Sequence, residues 1–358
     1  MRKGPLWEAS ARSGTTPSIS ALRNIDLHNE RRKLWNHGFT SASIKQFQPA
    51  VESRVIELVE ELRKRVSPSS GGKENPLDLA LWLSNFTFAR HDFMGDMVFG
   101  GGLGLMQSGD GGEIRDIVEG NVKALGILGK YHGSQFAFHR YVMRKEQEST
   151  KRDLFHYITN EEGLEKVKVP QDQSMNDILT AVVGGADTAS SVLSSLFFHL
   201  LSDPSAFDRL KEEVDSKFPV TEGEPFDAIR LARMSYLNAC INEALRLQPP
   251  VPTMLQRSPL EGSGGKLVAG RLVPESTAVY VPPYVLHRDP RYFSPFPDSF
   301  IPERWIDDSN KVHHQHICIH TILHRFVADY DPRKWDEELQ DFMAMNVGEL
   351  PVALNPRQ

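Results

Sequence analysis

The segment Val183-Gly184-Gly185-Ala186-Asp187-Thr188 sets a carboxyl group and a hydroxyl side by side after two glycines, inside the most apolar long stretch of the chain. Two glycines in a helix interior cost on the order of 1 kcal/mol each relative to alanine, so a compensating gain is expected. Close approach of a flat ligand and a local kink are the two physical options. Asp187 and Thr188 would then be a pair able to relay protons into a buried site. The plainer alternative is a kinked core helix whose aspartate bonds to a neighbour.

Two further constellations carry charge into apolar surroundings. In Asn242-Glu243-Ala244-Leu245-Arg246-Leu247, Glu243 and Arg246 are three apart, share a helix face and can pair, although on an exposed helix such a pair contributes only a few tenths of a kcal/mol. In Phe300-Ile301-Pro302-Glu303-Arg304-Trp305, preceded by His287-Arg288-Asp289-Pro290, a single arginine among rings and prolines suggests a guanidinium held against an aromatic face or a carboxylate. A surface loop is the alternative. His313, His314, His316, Cys318 and His320 are zinc- or copper-type ligands crowded within eight positions. Structural zinc sites bring two ligand pairs with a longer connection between them, so this cluster is read as accidental composition and no metal site is expected.

Helices must position most of these groups. Residues 43–66 show Ile44, Phe47, Val51, Val55, Leu58, Val59 and Leu62 at helical spacing, and 77–98, 113–132, 136–160, 174–201, 204–217 and 234–247 read as further helices. The last is stopped by Pro249 and Pro250, which lack the amide donor a helix needs. From residue 253 the texture changes: Gly262, Gly264 and Gly265 make a turn, 266–281 alternates as hairpin strands, and 282–305 is an ordered loop rich in proline and aromatics. Helices first and short strands later predict a mainly α fold with small β-sheets.

Composition excludes several classes of function. With 358 residues, 40% apolar and 25% charged, the chain is in the globular range and can bury a large core. The sum 41 − 47 = −6 speaks against a protein that tracks phosphates, so no nucleic-acid partner is expected. Cys240 and Cys318 are the only cysteines, which excludes a disulfide scaffold and a four-cysteine zinc site and fits an intracellular setting. Residues 1–25 read as a polar leader without an apolar block for a signal peptide or membrane anchor.

Taken together and in this order, the three constellations resemble the cytochrome P-450 monooxygenase family, and the texture is similar to fungal microsomal members of secondary metabolism. The resemblance implies a partial cytochrome P-450 fold in which 26–358 form a single, incomplete haem-monooxygenase-like domain. It implies haem as cofactor, with Gly184 and Gly185 against it and Asp187 and Thr188 supplying protons for oxygen activation. Glu243, Arg246 and Arg304 would form the buried charge network behind the haem. Arg257, in Gln256-Arg257-Ser258, would hold one propionate, and the stretch His28, Arg31, Arg32 would lie on the helix covering the other; arginine and carboxylate are chemically matched. The implied partners are O2, a small apolar organic substrate and an NADPH-dependent reductase, at the endoplasmic reticulum membrane.

One departure bears on activity. The family holds iron through a cysteine in the pattern Phe-x-x-Gly-x-Arg-x-Cys-x-Gly, and no such loop is present. Setting Cys318 as the ligand puts Lys311, His314, His316 and His320 where Phe, Gly, Arg and Gly belong, so 311–323 read as non-family sequence. Cys240, three residues before Glu243, reads as a small core residue. Two functional readings follow: a haem-dependent monooxygenase, or a catalytically inactive fragment of that family with at most a binding role.

Overall fold

Asn24 opens the first long helix by accepting hydrogen bonds from the amides of Asp26 and Leu27 on its side chain, giving α1 (Ile25–Gly38). The computed structural model describes residues 1–5, 7, 16–66, 77–87, 93–100, 152–219, 226–253, 256–306, 326–329, 340–341, 345–346 and 350–356. Helices α2 (Ser41–Val66), α3 (Leu79–Thr87), α4 (Phe93–Phe99) and α5 (Leu154–Ile158) follow α1. The expected stripe on α2 is inside: Phe47, Val55, Leu58, Val59 and Leu62 are all buried.

The stretch 77–98 is not one helix. Leu77 and Asp78 form β2 (Leu77–Asp78) and pair with Val352 and Pro351 near the C-terminus. Asp78 then caps α3, its Oδ1 accepting from Leu81 N at 3.2 Å and from Leu350 N at 2.9 Å. A strand partner this distant in sequence leaves no local signal. The helix expected over 136–160 is described only from residue 152, where Asp153 caps α5 and Thr159 follows its last residue, Ile158. The helix expected over 113–132 lies outside the described residues.

Helix α6 (Gln171–Ser202) spans 32 residues without interruption at Gly184-Gly185. Its first half contributes Ile178, Ala181, Val182 and Ala186 to one apolar cluster with Phe47, Met94, Val98 and Phe155. The second half contributes Leu193, Leu196, Phe197 and Leu200 to a larger cluster with α2, α3 and the helices that follow. Each of the larger side chains among them contributes roughly 1.5–3 kcal/mol by burial, so α6 ties both clusters together. It is the one described helix long and apolar enough to cross a membrane, but 71% of its most apolar window is buried inside the protein, as for a core helix.

Helix α7 (Pro204–Lys217) starts at the Asp203 cap, α8 (Ala228–Ala232) at the Asp227 cap, and α9 (Ser235–Leu247) uses a carboxylate from elsewhere. Glu213 of α7 accepts from the amides of Tyr236 at 3.0 Å and Leu237 at 2.9 Å, satisfying donors that a helix start leaves open. The described sheets are small and antiparallel. β1 (Arg2–Lys3) pairs with β3 (Arg257–Ser258), and β4 (Lys266–Val268) with β5 (Arg271–Val273) across a turn with Ala269 and Gly270 at positive φ. β6 (Phe326–Asp329) and β2 both flank the last strand, β9 (Pro351–Pro356), while β7 (Gln340–Asp341) pairs with β8 (Met345–Asn346). The strand expected around 278–281 is reduced to a single bridge between Val279 and Arg257. Helix α10 (Pro283–Leu286) and a 3-10 turn, Pro302–Trp305, punctuate the proline-rich loop.

Candidate active site

The charge network forms because α9 presents Glu243 and Arg246 on one inward face. Arg246 Nε and Nη2 donate to the two carboxylate oxygens of Glu243, each at 2.8 Å, a bidentate pair in which neither residue is more than 2% exposed. The remaining guanidinium donors go to backbone carbonyls of the loop: His287 O at 2.7 Å, Ser299 O at 3.0 Å and Pro297 O. Glu243 also accepts from Trp305 Nε1 at 2.8 Å and from Ile301 N at 2.9 Å. Arg304 joins more loosely, its Nε 3.5 Å from Glu243 Oε1, while its Nη2 donates to Phe296 O at 2.8 Å and to Pro295 O. A buried carboxylate with two arginines and two further donors is fully satisfied, and it fastens the loop 287–305 onto α9.

Trp305 and Ile301 as donors to Glu243 are not derivable from the motif alone, although Trp305 stands in it. Another such residue is His199 of α6, which stacks on Phe300 with ring centroids 4.9 Å apart and planes 5° apart. Burial, with Arg288 and Arg246 nearby, lowers the His199 imidazole to about 3, so it is neutral.

On α6 the two glycines have different surroundings. A Cβ on Gly184 would meet nothing within 4 Å, whereas one on Gly185 would lie 2.5 Å from both Sδ and Cε of Met94. Gly185 therefore admits a neighbouring thioether, a third option beside a ligand or a kink. Thr188 Oγ1 donates to Gly184 O at 2.7 Å, the back-bonding typical of threonine in helices. Asp187 Oδ2 is buried and without a hydrogen-bond partner among the described residues. Burial raises its carboxyl to about 7, so a proton resides there near neutral pH.

The basic residues meet across three chain segments. Strand pairing puts Lys3 opposite Arg257. Arg257 and Arg32 both act on the Lys3 ammonium, and Lys3 and Arg32 both act on the His28 imidazole, lowering each group in addition to burial. Lys3 is absent from the sequence-level candidates, because nothing local reveals that the chain start pairs beside Arg257. Arg31 is directed elsewhere: it is buried, donates to Pro17 O and lies 3.9 Å from Asp177.

The described residues thus include an open glycine face with an unpartnered carboxyl on α6 and, separately, a group of basic side chains from β1, α1 and β3, chemistry suited to an apolar flat ligand and to carboxylates respectively. An axial thiolate is not among the described residues. Cys240 lies at 0% exposure inside α9, and burial with Glu213 and Glu303 nearby holds its thiol well above the usual range, the opposite of a ligand's environment. Cys318, Lys311 and the histidines of 313–320 lie outside the described residues, and no group of three or more His, Cys, Asp or Glu suited to a metal occurs among the described ones.

The cytochrome P450 family model matches residues 122–318. Cytochrome P450 67 of Uromyces fabae is 30% identical over 85% of this chain and 58% of its own length. Averantin hydroxylase of Dothistroma septosporum is 28% identical over 86% of this chain and 60% of its own length. The chain therefore spans about three fifths of the length of these relatives. A zebra fish cytochrome P450 structure with abiraterone superposes with a TM-score of 0.78 at 19% identity, over 99% of this chain and 87% of that one, a likeness of fold. With a family model matching more than half of its residues and its fold shared with solved members, the chain belongs to the cytochrome P450 family.

Proposed function

We propose that the protein is a haem-dependent monooxygenase that oxidises a small apolar organic substrate of fungal secondary metabolism, using O2 and electrons from an NADPH-dependent reductase at the endoplasmic reticulum membrane. The observation that carries this reading is the buried, unpartnered Asp187 carboxyl, one residue from Thr188 and on the same helix as the open Gly184 face. Haem, the cofactor that this family and fold bind, supplies the oxygen chemistry that side chains cannot. Asp187 holds a proton on its carboxyl up to about pH 7, poised to release it inward and regain it. Thr188 keeps its hydroxyl proton on Gly184 O, leaving the lone pairs of Oγ1 to accept. His28, Arg32 and Arg257 would hold the propionates, while Glu243, Arg246 and Arg304 keep the 287–305 loop in place.

A second reading, a catalytically inactive member with at most a binding role, is favoured by one observation: the residues around Cys318 are not those of a thiolate loop, and Cys240 is locked in the core. The carbon-monoxide difference spectrum of the reduced, haem-reconstituted chain separates the two. A thiolate-type Soret band that survives Cys240→Ala and disappears in Cys318→Ala is the result expected of the monooxygenase. A histidine-type band, or none, would establish the inactive reading.

A further inference from the structure

Three buried polar atoms of α6 that have no partner fall in one row. Asp187, Ser191 and Ser194 are spaced four and three apart, which sets them on one face of the helix. Asp187 Oδ2, Ser191 Oγ and Ser194 Oγ are each buried without a hydrogen bond among the described residues, and Ser191 and Ser194 are only 2% and 0% exposed. A serine or threonine inside a helix commonly turns its hydroxyl back to the carbonyl four residues before it. On this same helix Ser174 does so to Pro170 O at 3.1 Å, Thr180 to Asn176 O at 2.9 Å, Thr188 to Gly184 O at 2.7 Å and Ser202 to Phe198 O at 2.7 Å. Ser195, beside the row, donates instead to Gln248 Oε1. Ser191 and Ser194 do neither, so their hydroxyls stand unpaired on the face that carries Asp187.

A buried hydroxyl that keeps no partner lowers the folding constant roughly tenfold, and two in succession beside a buried carboxyl oxygen call for a polar occupant. We propose that this row is an internal hydration site, in which one water bridges Asp187 Oδ2 to Ser191 Oγ and a second bridges Ser191 Oγ to Ser194 Oγ, making both serines positioning residues for the Asp187 carboxyl. The proposal deepens the monooxygenase reading and rests on it for the use to which Asp187 is put. Side chains three and four apart on a helix stand about 5–6 Å apart at Cβ, close to the span of two hydrogen bonds through a single oxygen. A hydroxyl offers one donor and two acceptor positions, so Ser191 can serve both waters at once. Each water then has two side-chain partners, enough to hold it in a protein interior. With its proton in place, the Asp187 carboxyl donates to the first water, that water to Ser191, Ser191 to the second water, and the second water to Ser194. An apolar occupant would leave all three atoms unpaired, so water fits the row where an apolar substrate does not.

The test uses the full, ligand-free chain at mildly acidic pH, where Asp187 carries its proton. Ser191→Ala and Ser194→Ala should each lower the folding constant about tenfold in urea titrations, because each leaves a buried water short of a partner. A dry row predicts the opposite sign, since alanine then removes an unpaired hydroxyl and favours the helix. The infrared carbonyl stretch of protonated Asp187, identified by its absence in Asp187→Asn, should move to higher wavenumber in Ser191→Ala and return in Ser191→Thr. A serine that served packing alone would leave that band in place. Oxygen-17 relaxation of the solvent should report fewer long-lived internal waters in the double variant Ser191→Ala/Ser194→Ala than in the unaltered chain. An Asp187 band unmoved in Ser191→Ala, a gain of stability in both alanine variants, or equal oxygen-17 signals would each overturn the hydration site. None of these readouts depends on haem, so the site can fail while the carbon-monoxide spectrum upholds the monooxygenase reading, and the two failures are told apart.

Discussion

The thioether of Met94 fills the space that a side chain on Gly185 would occupy, with Sδ and Cε each 2.5 Å from the position of its Cβ. The neighbouring Gly184 faces open space. Gly184→Ala is therefore expected to stabilise the ligand-free chain by about 0.5–1 kcal/mol through helix propensity. Gly185→Ala should forgo that gain and cost about 1–3 kcal/mol through overpacking, with partial recovery when combined with Met94→Ala. Urea denaturation of the two single variants and the double variant measures both.

The network at Glu243 predicts a steep loss of stability. Removing one partner of a buried pair strands the other, at about 3–5 kcal/mol, a large part of a typical net stability of roughly 5–15 kcal/mol. Glu243→Gln and Arg246→Met are each expected to lower the unfolding midpoint sharply. Arg304→Met should cost less, because Arg304 lies 3.5 Å from Glu243 and the carboxylate retains Arg246, Trp305 and Ile301. Thermal unfolding followed by circular dichroism ranks the three.

His199 contributes a pH dependence of definite sign. Its folded value is about 3 and its ordinary value 6.5, so between these limits the unfolded chain binds more protons. Stability from this residue is complete above pH 6.5 and is lost as the pH falls towards 3. From pH 6.5 to 5 the loss should be on the order of 2 kcal/mol. His199→Phe, which keeps a ring against Phe300, should flatten the profile when urea midpoints are compared at pH 5 and 7.

Asp187 acts in the opposite direction. Its folded value, about 7, lies above its ordinary 3.8, so the folded chain binds the extra proton and the favourable contribution is lost as the pH rises through 7. Asp187→Asn should match the unaltered protein near pH 4 and exceed it by on the order of 4 kcal/mol at pH 8. Guanidinium titrations at the two pH values provide the check.

Cys240 should be chemically silent in the folded state, since burial and the carboxylates of Glu213 and Glu303 keep its thiol protonated. In a Cys318→Ala background, iodoacetamide at pH 8 is expected to leave Cys240 unmodified under native conditions and to alkylate it in urea, as read by intact mass.

Helical periodicity could be read along the chain because it depends on neighbours three and four residues apart. The stripes over 43–66, 174–201 and 204–217 lie within or close to the bounds of α2, α6 and α7. The pairing of Glu243 with Arg246 was legible for the same reason, and the ordered motifs around it were sufficient to indicate the family. The division of 77–98 into a strand and two helices was not legible, because Leu77 and Asp78 take their partners from β9. Nor could spacing show that Trp305 would complete the Glu243 network, that Met94 would require Gly185, or that Lys3 would stand beside Arg257. The sequence by itself determined the helices over 43–66, 174–201, 204–217 and 234–247, the mainly α class and the lineage. Tertiary structure decided which distant side chains share a site, since burial, strand pairing and electrostatic crowding arise only when segments remote along the chain exclude water together.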